Sequence, residues 1–258
     1  MTPALHVESV GEGPPMVLLH GWGMHAGLWG SLPARLARKA RVHAVDLPGH
    51  GHSGAVPMRS LEDVVHELGS RFGEGSVTVL GWSLGAIIAM RWALAAPQRV
   101  KRLILTGATP RFVNDATWTH GMEEAALLRF GDELRVAYKL TLQRFLALQL
   151  QGTDAGRDTL ARMRHLLFAR GTPSATALER GLAFLRETDL RAEVPAIVQP
   201  TLLVAGDRDT LTPAAASEWL ARNLPHAKLV VIAGAAHVPF LSHAQRFAAA
   251  VESFLDES

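Results

Sequence analysis

The stretch that most constrains this chain is residues 77–94. A short β-branched run leads into Gly81-Trp-Ser-Leu-Gly85, and a helix-forming run follows directly. Where a strand turns at once into a helix, glycines allow an approach of the two backbones that side chains would block. The serine then lies at the apex of the turn, the arrangement called a nucleophile elbow. The motif therefore predicts Ser83 as a nucleophile.

A serine nucleophile of this kind needs two N–H groups that stabilise the developing oxyanion. The Leu84 amide follows Ser83 at a helix N-terminus, where amides are unpaired and the helix dipole favours negative charge. The second donor is expected in the loop His20-Gly-Trp-Gly23, after the apolar run 16–19. We assign it to the backbone amide of Trp22.

The serine also needs a base, and the base needs an orienting carboxylate. On an elbow of this type the chain order is serine, acid, histidine, with the partners after later strands. His237 follows the apolar run 228–232 and is the predicted base. Two acids compete in the loop after residues 201–205, namely Asp207 and Asp209. The spacing Gly-x-x-Asp-x-x-x-Pro favours Asp209, and Asp207 is then expected to bond its own backbone or to pair with Arg208.

The remaining pattern indicates an α/β fold. Apolar strand-length runs alternate with helical runs, which predicts a mostly parallel sheet covered by helices on both faces. Between residues 112 and 191 the strands stop, and helices are expected at 123–130, 132–150, 156–168 and 174–187. We therefore predict a core of residues 1–111 and 192–258 with a helical lid inserted at 112–191. A helix is also expected at 32–40, within the core.

Composition narrows the class of protein. The 258 residues include no cysteine, which excludes a disulfide framework and a cysteine nucleophile. The first residues lack a basic segment followed by an apolar run, so we expect no signal peptide and a cytoplasmic protein. No run approaches the ~20 apolar residues of a membrane span. The formal charge of +2 gives no indication of a nucleic-acid partner.

Charge is nevertheless concentrated in the lid. Residues 135–170 carry seven basic and two acidic side chains, a formal charge of +5, which leaves −3 for the rest of the chain. The acids are Asp154 and Asp158. The bases are Arg135, Lys139, Arg144, Arg157, Arg162, Arg164 and Arg170. Such a segment either forms solvated helix faces or steers an acidic partner.

A metal site formed by His20, His25, His50 and His52 is disfavoured. None of the four shows the paired spacing with carboxylates that a metal site would need.

Together these motifs resemble the α/β-hydrolase superfamily. The resemblance rests on His20–Gly23, Asp46-Leu-Pro-Gly-His-Gly-His-Ser53, Gly81–Gly85, Gly206-x-x-Asp209 and His237. Within it the chain looks like the pimeloyl-[acyl-carrier protein] methyl ester esterases of biotin synthesis. That closer likeness rests on Leu18–Gly23, Gly81–Gly85, Arg144-Phe-Leu-Ala-Leu-Gln149 with Gly152-Thr153, Thr188-Asp-Leu-Arg191 and Ala235–Phe240.

The resemblance implies a reaction and a partner. Ser83, His237 and Asp209 would hydrolyse the methyl ester of a pimeloyl chain carried by an acyl-carrier protein, through an acyl-enzyme. No metal or organic cofactor would be needed, and neither a membrane nor nucleic acid would take part. Substrate contacts would come from Trp22, Ser83, Leu84, Phe145, Leu146, Ala147, Leu148, Gln149 and His237.

The carrier protein would dock on Lys139, Arg144, Arg157 and Arg162. Leu140 and Ala161 stand where further basic residues are expected in that family, and Lys139 and Arg162 are their neighbours. For the walls of an acyl channel we expect Trp22, Met24, Phe112, Phe145, Leu148 and Phe240.

Three alternatives stay open. The same triad is compatible with a broad short-chain carboxylesterase, and with thioester or carbon–carbon hydrolysis. A non-catalytic ligand receptor on this fold is the third. Dehalogenase and epoxide-hydrolase chemistry are disfavoured, since both need a carboxylate where this chain has Ser83.

Overall fold

The structure, a computed structural model, describes residues 4–73, 75–153 and 156–257. Within these residues seven strands form one sheet in the order β1-β3-β2-β4-β5-β6-β7, and β1 runs antiparallel to β3 while the other pairs are parallel. The strands are β1 Val7–Val10, β2 Pro15–Leu19, β3 Arg41–Val45, β4 Val77–Trp82, β5 Val100–Thr106, β6 Thr201–Gly206 and β7 Ala227–Ile232. The mostly parallel architecture expected from the sequence is confirmed.

Nine α-helices accompany the sheet in the described ranges. They are α1 Leu32–Leu36, α2 Leu61–Arg71, α3 Leu84–Ala95, α4 Glu124–Leu148, α5 Gly156–Leu166, α6 Ala175–Glu187, α7 Ala214–Asn223, α8 Pro239–Ser242 and α9 Ala244–Asp256. The three helices α4, α5 and α6 follow one another between β5 and β6, which is where the helical insertion was expected. None of the helices of the described chain is both long and apolar enough to cross a membrane.

Burial explains why the central strands are largely apolar. All six residues of β4 and all six of β6 are buried, since helices cover both faces of a parallel sheet. The helix α3 is buried at nine of its 12 positions and packs on β4 and β5. The elbow therefore lies between a fully buried strand and a largely buried helix.

Three expected helices differ from the structure. The helix α1 ends at Leu36, and residues 37–40 turn into β3 instead of continuing the helix. The two expected helices 123–130 and 132–150 are one helix, α4, with its kink at Ala137 (φ −143°, ψ 54°) and not at Gly131. The Thr141 hydroxyl donates to the Ala137 carbonyl at 3.1 Å, a bond from residue i to i−4 that is known to bend helices.

The ends of the lid meet in a cluster of ion pairs. Arg111 contacts Asp189 at 3.1 Å, and Arg191 contacts Asp115 at 2.9 Å. The amide of Leu190 also donates to the Pro110 carbonyl at 2.9 Å. The segment that leaves the core after β5 is thus tied to the segment that returns before β6. The exact boundaries at 111/112 and 191/192 stay predictions.

A pair of glycine substitutions tests the close packing around the elbow. A Cβ atom on Gly85 would lie 2.0 Å from the Leu19 carbonyl oxygen, whereas a Cβ on Gly69 in α2 would meet nothing within 4 Å. We expect Gly85→Ala to lower the free energy of unfolding by at least about 2 kcal/mol, because a well-packed core cannot yield. Gly69→Ala is the matched control and should raise it by up to about 1 kcal/mol. Urea titrations of both variants measure the difference, and equal effects would contradict the account.

Candidate active site

Ser83 lies between the end of β4 and the start of α3, in a backbone conformation that L-residues rarely adopt. Its φ is 57° and its ψ −116°, and among the described residues it is the single non-glycine residue with positive φ. Such a conformation costs of order 1–3 kcal/mol and persists when the surroundings enforce it. The enforcement is visible at Gly81, where a Cβ would lie 2.4 Å from the Gly85 carbonyl oxygen. The geometry is that of the elbow expected from the sequence.

Asp209 and His237 form a buried hydrogen-bonded pair. Asp209 Oδ2 lies 2.7 Å from His237 Nδ1, and both side chains are 2% exposed. The other oxygen, Oδ1, accepts from the amides of Leu211 at 2.9 Å and Thr212 at 3.0 Å. The Thr212 hydroxyl donates to Oδ2 at 2.8 Å. The carboxylate is therefore held by four groups, and the bond at Nδ1 leaves Nε2 of His237 to exchange protons.

Asp207, the competing acid, has a different role. It is exposed, and its Oδ1 accepts from the Gly234 amide at 2.8 Å. It thus bridges the loops after β6 and β7. Of the two candidate acids, Asp209 is the one that contacts His237.

The His237 ring fits into space left by a glycine. Gly107 follows β5 with φ 55°, and a Cβ there would lie 2.7 Å from the His237 Cε1 atom. The His237 backbone is fixed as well, because its amide donates to the Gln149 carbonyl at 3.1 Å and its carbonyl accepts from Trp82 Nε1 at 3.1 Å. The lid, through Gln149, therefore helps to place the histidine.

The loop after β2 packs against the elbow and brings Trp22 to the site. Within the described residues no hydrogen bond occupies the Trp22 amide. The indole Nε1 donates to the Leu178 carbonyl of α6 at 2.9 Å, and the ring stands edge-on to Phe130 and Phe145, each 5.3 Å away. The side chain is thus locked into the lid while the amide is left available as an oxyanion donor.

Two buried histidines, His20 and His50, lie in and next to this loop. His20 donates from Nδ1 to the Gly21 carbonyl at 2.8 Å and accepts at Nε2 from the Leu47 amide at 3.0 Å, as a neutral ring does. Burial, with His50 nearby, lowers the pKa of His20 to about 3. Burial likewise lowers the pKa of His50 to about 4. Neutral at ordinary pH, both rings act in packing and hydrogen bonding.

The rings of His20 and His25 are hydrogen-bonded to backbone carbonyls, His20 to that of Gly21 and His25 to that of Leu166. In the described part of the chain, no three His, Cys, Asp or Glu side chains are grouped so that they could hold a metal ion.

A cavity of about 170 Å³ opens on Ser83 and His237. Its walls are otherwise apolar, and none of the described residues that form them is a lysine or an arginine. They are Trp22, Phe112, Met122, Ala126, Leu127, Phe130, Phe145, Leu148, Leu182, Leu185 and Leu211. Such a cavity suits a slim, uncharged acyl chain.

The structure separates the residues expected to contact substrate into two groups. Trp22, Ser83, Phe145, Leu148 and His237 line the cavity, and so does the expected wall residue Phe112. Leu84, Leu146, Ala147 and Gln149 are not among its walls, and three of these four have no exposed surface. Met24 and Phe240, expected as channel walls, are core residues instead; Phe240 packs on Trp29 and Trp82.

Seven wall residues were not expected from the sequence. Met122, Ala126, Leu127, Phe130, Leu182, Leu185 and Leu211 lie mainly on α4 and α6. An apolar residue that faces a cavity has the same helical spacing as one that faces solid core, so the sequence held no signal for them. Thr212 and Gly107 were missed too, although both stand in loops that follow strands of the sheet.

The basic residues of the lid differ in exposure and in pairing. Arg135 pairs with Asp132 at 2.9 Å and Glu179 at 3.4 Å, and Arg144 lies 3.7 Å from Glu133. Arg170 turns inward. Of the seven, the exposed cations for which the described chain provides no ion pair are Lys139, Arg157, Arg162 and Arg164. Asp154 lies outside the described residues.

A family model described as alpha/beta hydrolase fold matches residues 14–244. The chain belongs to the α/β-hydrolase family. It is similar to a protein of Nitrosospira multiformis named pimeloyl-[acyl-carrier protein] methyl ester esterase, with 44% identity over 258 residues, 97% of this chain and 98% of the relative. A protein of Nitrosomonas europaea with the same name is 41% identical over 244 residues, 95% and 96% of the two chains.

Among solved structures, an esterase from Exiguobacterium antarcticum superposes on this hydrolase with a TM-score of 0.87. The alignment covers 98% of this chain and 96% of the other, at 24% identity. At that identity the likeness describes the fold alone.

Replacing the two aspartates separates their roles. Asp209→Asn keeps the shape but removes the charge beside His237 Nδ1, and in serine hydrolases such a change costs about 10⁴ in kcat. Asp207→Asn is the matched control: the amide oxygen can still accept from Gly234, so we expect less than about a threefold change. Turnover of a short nitrophenyl ester measures both. A loss at Asp207 equal to that at Asp209 would contradict the assignment.

Proposed function

We propose that this α/β-hydrolase is a serine carboxylesterase that hydrolyses the methyl ester of a pimeloyl chain held on an acyl-carrier protein. The single observation that carries the substrate is the 41–44% identity, over nearly the whole chain, to relatives of that name. The product would be the free pimeloyl carboxylate, and the resemblance assigns that step to biotin synthesis.

The geometry supports a two-step acyl transfer. Ser83 Oγ attacks the ester carbonyl while His237 Nε2 takes its proton, and Asp209 stabilises the imidazolium at Nδ1. The tetrahedral oxyanion accepts from the amides of Trp22 and Leu84. When the C–O bond breaks, the proton passes from His237 to the departing methanol. Water then attacks the acyl-enzyme while His237 takes a proton from it. His237 passes that proton to Ser83 Oγ as the bond between Ser83 and the acyl group breaks.

The cavity supports a neutral methyl ester as substrate and disfavours the product. Its apolar walls accept a methylene chain, and no lysine or arginine among the described wall residues would balance a carboxylate. An unpaired charge in such surroundings is costly. The ester enters without that cost, whereas the carboxylate formed beside Ser83 is driven out. This asymmetry favours release of the product.

Docking of the carrier protein would use the exposed cations of the lid. The proposed set is Lys139, Arg144, Arg157 and Arg162, as the resemblance implies. Three of them have no ion pair with the described chain, and the fourth, Arg144, has a long and exposed one with Glu133. Exposed pairs of that kind contribute less than about 1 kcal/mol, so Arg144 remains available to an acidic partner.

Removing the nucleophile tests substrate and mechanism together. We expect the wild-type protein to release methanol from pimeloyl-carrier methyl ester, and to restore growth of a biotin auxotroph that lacks this esterase. Ser83→Ala should lose both, with turnover lower by about 10⁶, because the covalent intermediate cannot form. Full complementation by Ser83→Ala would instead favour a ligand receptor. Wild-type turnover of a short nitrophenyl ester far above that of the carrier-bound ester would favour a broad carboxylesterase.

Charge reversal tests the docking surface. For the double variant Arg144→Glu and Arg157→Glu we expect kcat/KM on the carrier-bound ester to fall at least about tenfold at low salt, because steering of the acidic partner is lost. The deficit should shrink as salt rises, and turnover of a short ester should not change.

The matched control for docking is Arg41→Glu with Lys101→Glu. Both residues are exposed at the amino-terminal edge of the sheet, where β3 and β5 begin, and the change in charge is the same. Equal losses in the two double variants, or no loss in either, would argue against docking on the lid.

A further inference from the structure

Among the described basic residues of the lid segment 135–170, Arg170 is the one that reaches into the core. It lies between α5 and α6, and its side chain is 13% exposed. One guanidinium nitrogen lies 3.3 Å from Asp46 Oδ2, and the other donates to Glu8 of β1 at 2.6 Å. It therefore connects the lid to a carboxylate that is completely buried.

Asp46 in turn accepts hydrogen bonds from the backbone of two different loops. Its Oδ1 accepts from the Ala26 amide at 2.7 Å, and its Oδ2 accepts from the His52 amide at 2.9 Å. Ala26 is where the loop from His20, which carries Trp22, passes into a short 3-10 helix. Asp46 thus anchors the far end of the loop that we assign as oxyanion donor.

The lid grips the same loop at a second point. His25 Nε2 lies 2.8 Å from the Leu166 carbonyl at the end of α5, and His25 Nδ1 accepts from the Gly27 amide at 3.1 Å. A Cβ on Gly27 would lie 3.1 Å from Arg170 Nε, so the guanidinium packs directly on this backbone. Residues 25–27 are therefore in direct contact with the lid.

We propose that Arg170 is a positioning residue for ester hydrolysis: its ion pair with Asp46 fixes the loop of residues 20–27 and, through it, the Trp22 amide in the oxyanion hole. The inference rests on the proposed serine-ester chemistry and is independent of the carrier protein. It also separates Arg170 from the exposed cations of the lid, because an inward-facing guanidinium is not available to a docked partner.

The ion pair between Arg170 and Asp46 matters because Asp46 is a buried charge that needs compensation. Burial raises the pKa of Asp46, but that pKa is lowered overall, and the amides of Ala26 and His52 and the Arg170 guanidinium contribute to the lowering. Removing Arg170 leaves a buried carboxylate with less compensation. The carboxylate then gains by moving toward water, and the Ala26 amide moves with it. A displacement of about 1 Å near the reacting atoms can cost about a hundredfold in rate.

The test compares Arg170→Gln, Arg170→Lys and the wild type on a short nitrophenyl ester, which needs no carrier protein. We expect kcat to fall at least about tenfold in Arg170→Gln with KM within about twofold, since an oxyanion donor acts mainly in the transition state. Arg170→Lys keeps the charge and should retain an intermediate kcat. Affinity for an aryl trifluoromethyl ketone, whose adduct with Ser83 carries the oxyanion, should fall in parallel with kcat/KM.

Two control variants isolate the effect. Glu8→Gln removes the exposed partner of Arg170 and should leave kcat within about twofold, because Asp46 is the contact that matters. Arg180→Gln removes an exposed cation from α6 of the same lid and should have no effect.

Unchanged kcat and ketone affinity in Arg170→Gln would overturn the inference. So would a loss confined to KM for the carrier-bound ester that disappears at high salt, since that is the behaviour of a docking residue. If Arg170→Gln does not fold, a folded Arg170→Lys with wild-type kcat overturns the inference, and one with lowered kcat and ketone affinity supports it. A wild type that cleaves the short ester but not the carrier-bound methyl ester would refute the proposed substrate and leave the role of Arg170 intact.

Discussion

The contact between Gly85 and the end of β2 is the constraint on which the site depends. Helix α3 begins so close to the neighbouring strand that no side chain fits, and this proximity forces the chain through the strained turn at Ser83. The same contact sets the loop of residues 20–23 beside the elbow. One close approach of backbones thus brings the nucleophile and both proposed oxyanion donors together, and strand geometry places the acid and the base.

The elements of the core could be predicted because each depends on a local signal. Runs such as 16–19 and 202–205 are apolar throughout because they are covered on both faces, and glycine or proline ends most of them. The lid was harder to predict. Gly131 looks like a helix breaker, yet it lies against Leu182 of α6 and the helix continues through it, whereas the kink at Ala137 accompanies a Thr141 hydrogen bond. Tertiary contacts decide such points, and the sequence does not display them.

The residues of the candidate site also differ in whether a local sequence signal or a tertiary contact decides their position. Ser83, Asp209 and His237 are predictable because chemistry restricts their residue types and the fold restricts their order. Phe130 and Leu185 in the cavity, like the inward turn of Arg170, obey no such restriction. A basic residue in a lid can face water or a buried carboxylate, and for Arg170 the outcome depends on where Asp46 lies in three dimensions.

The indole of Trp22 spans the boundary between core and lid. Its ring fits against Gly181, where a Cβ would lie 2.5 Å from the Trp22 Cδ1 atom, and its Nε1 atom bonds to the Leu178 carbonyl. The lid therefore could not be replaced by an unrelated lid without loss of these contacts. A lid transplanted from another hydrolase would have to supply a glycine and a carbonyl oxygen at the matching turn of its helix, or the recipient loop would have to travel with it. A change of lid in this architecture would therefore also change the support of the loop that carries Trp22.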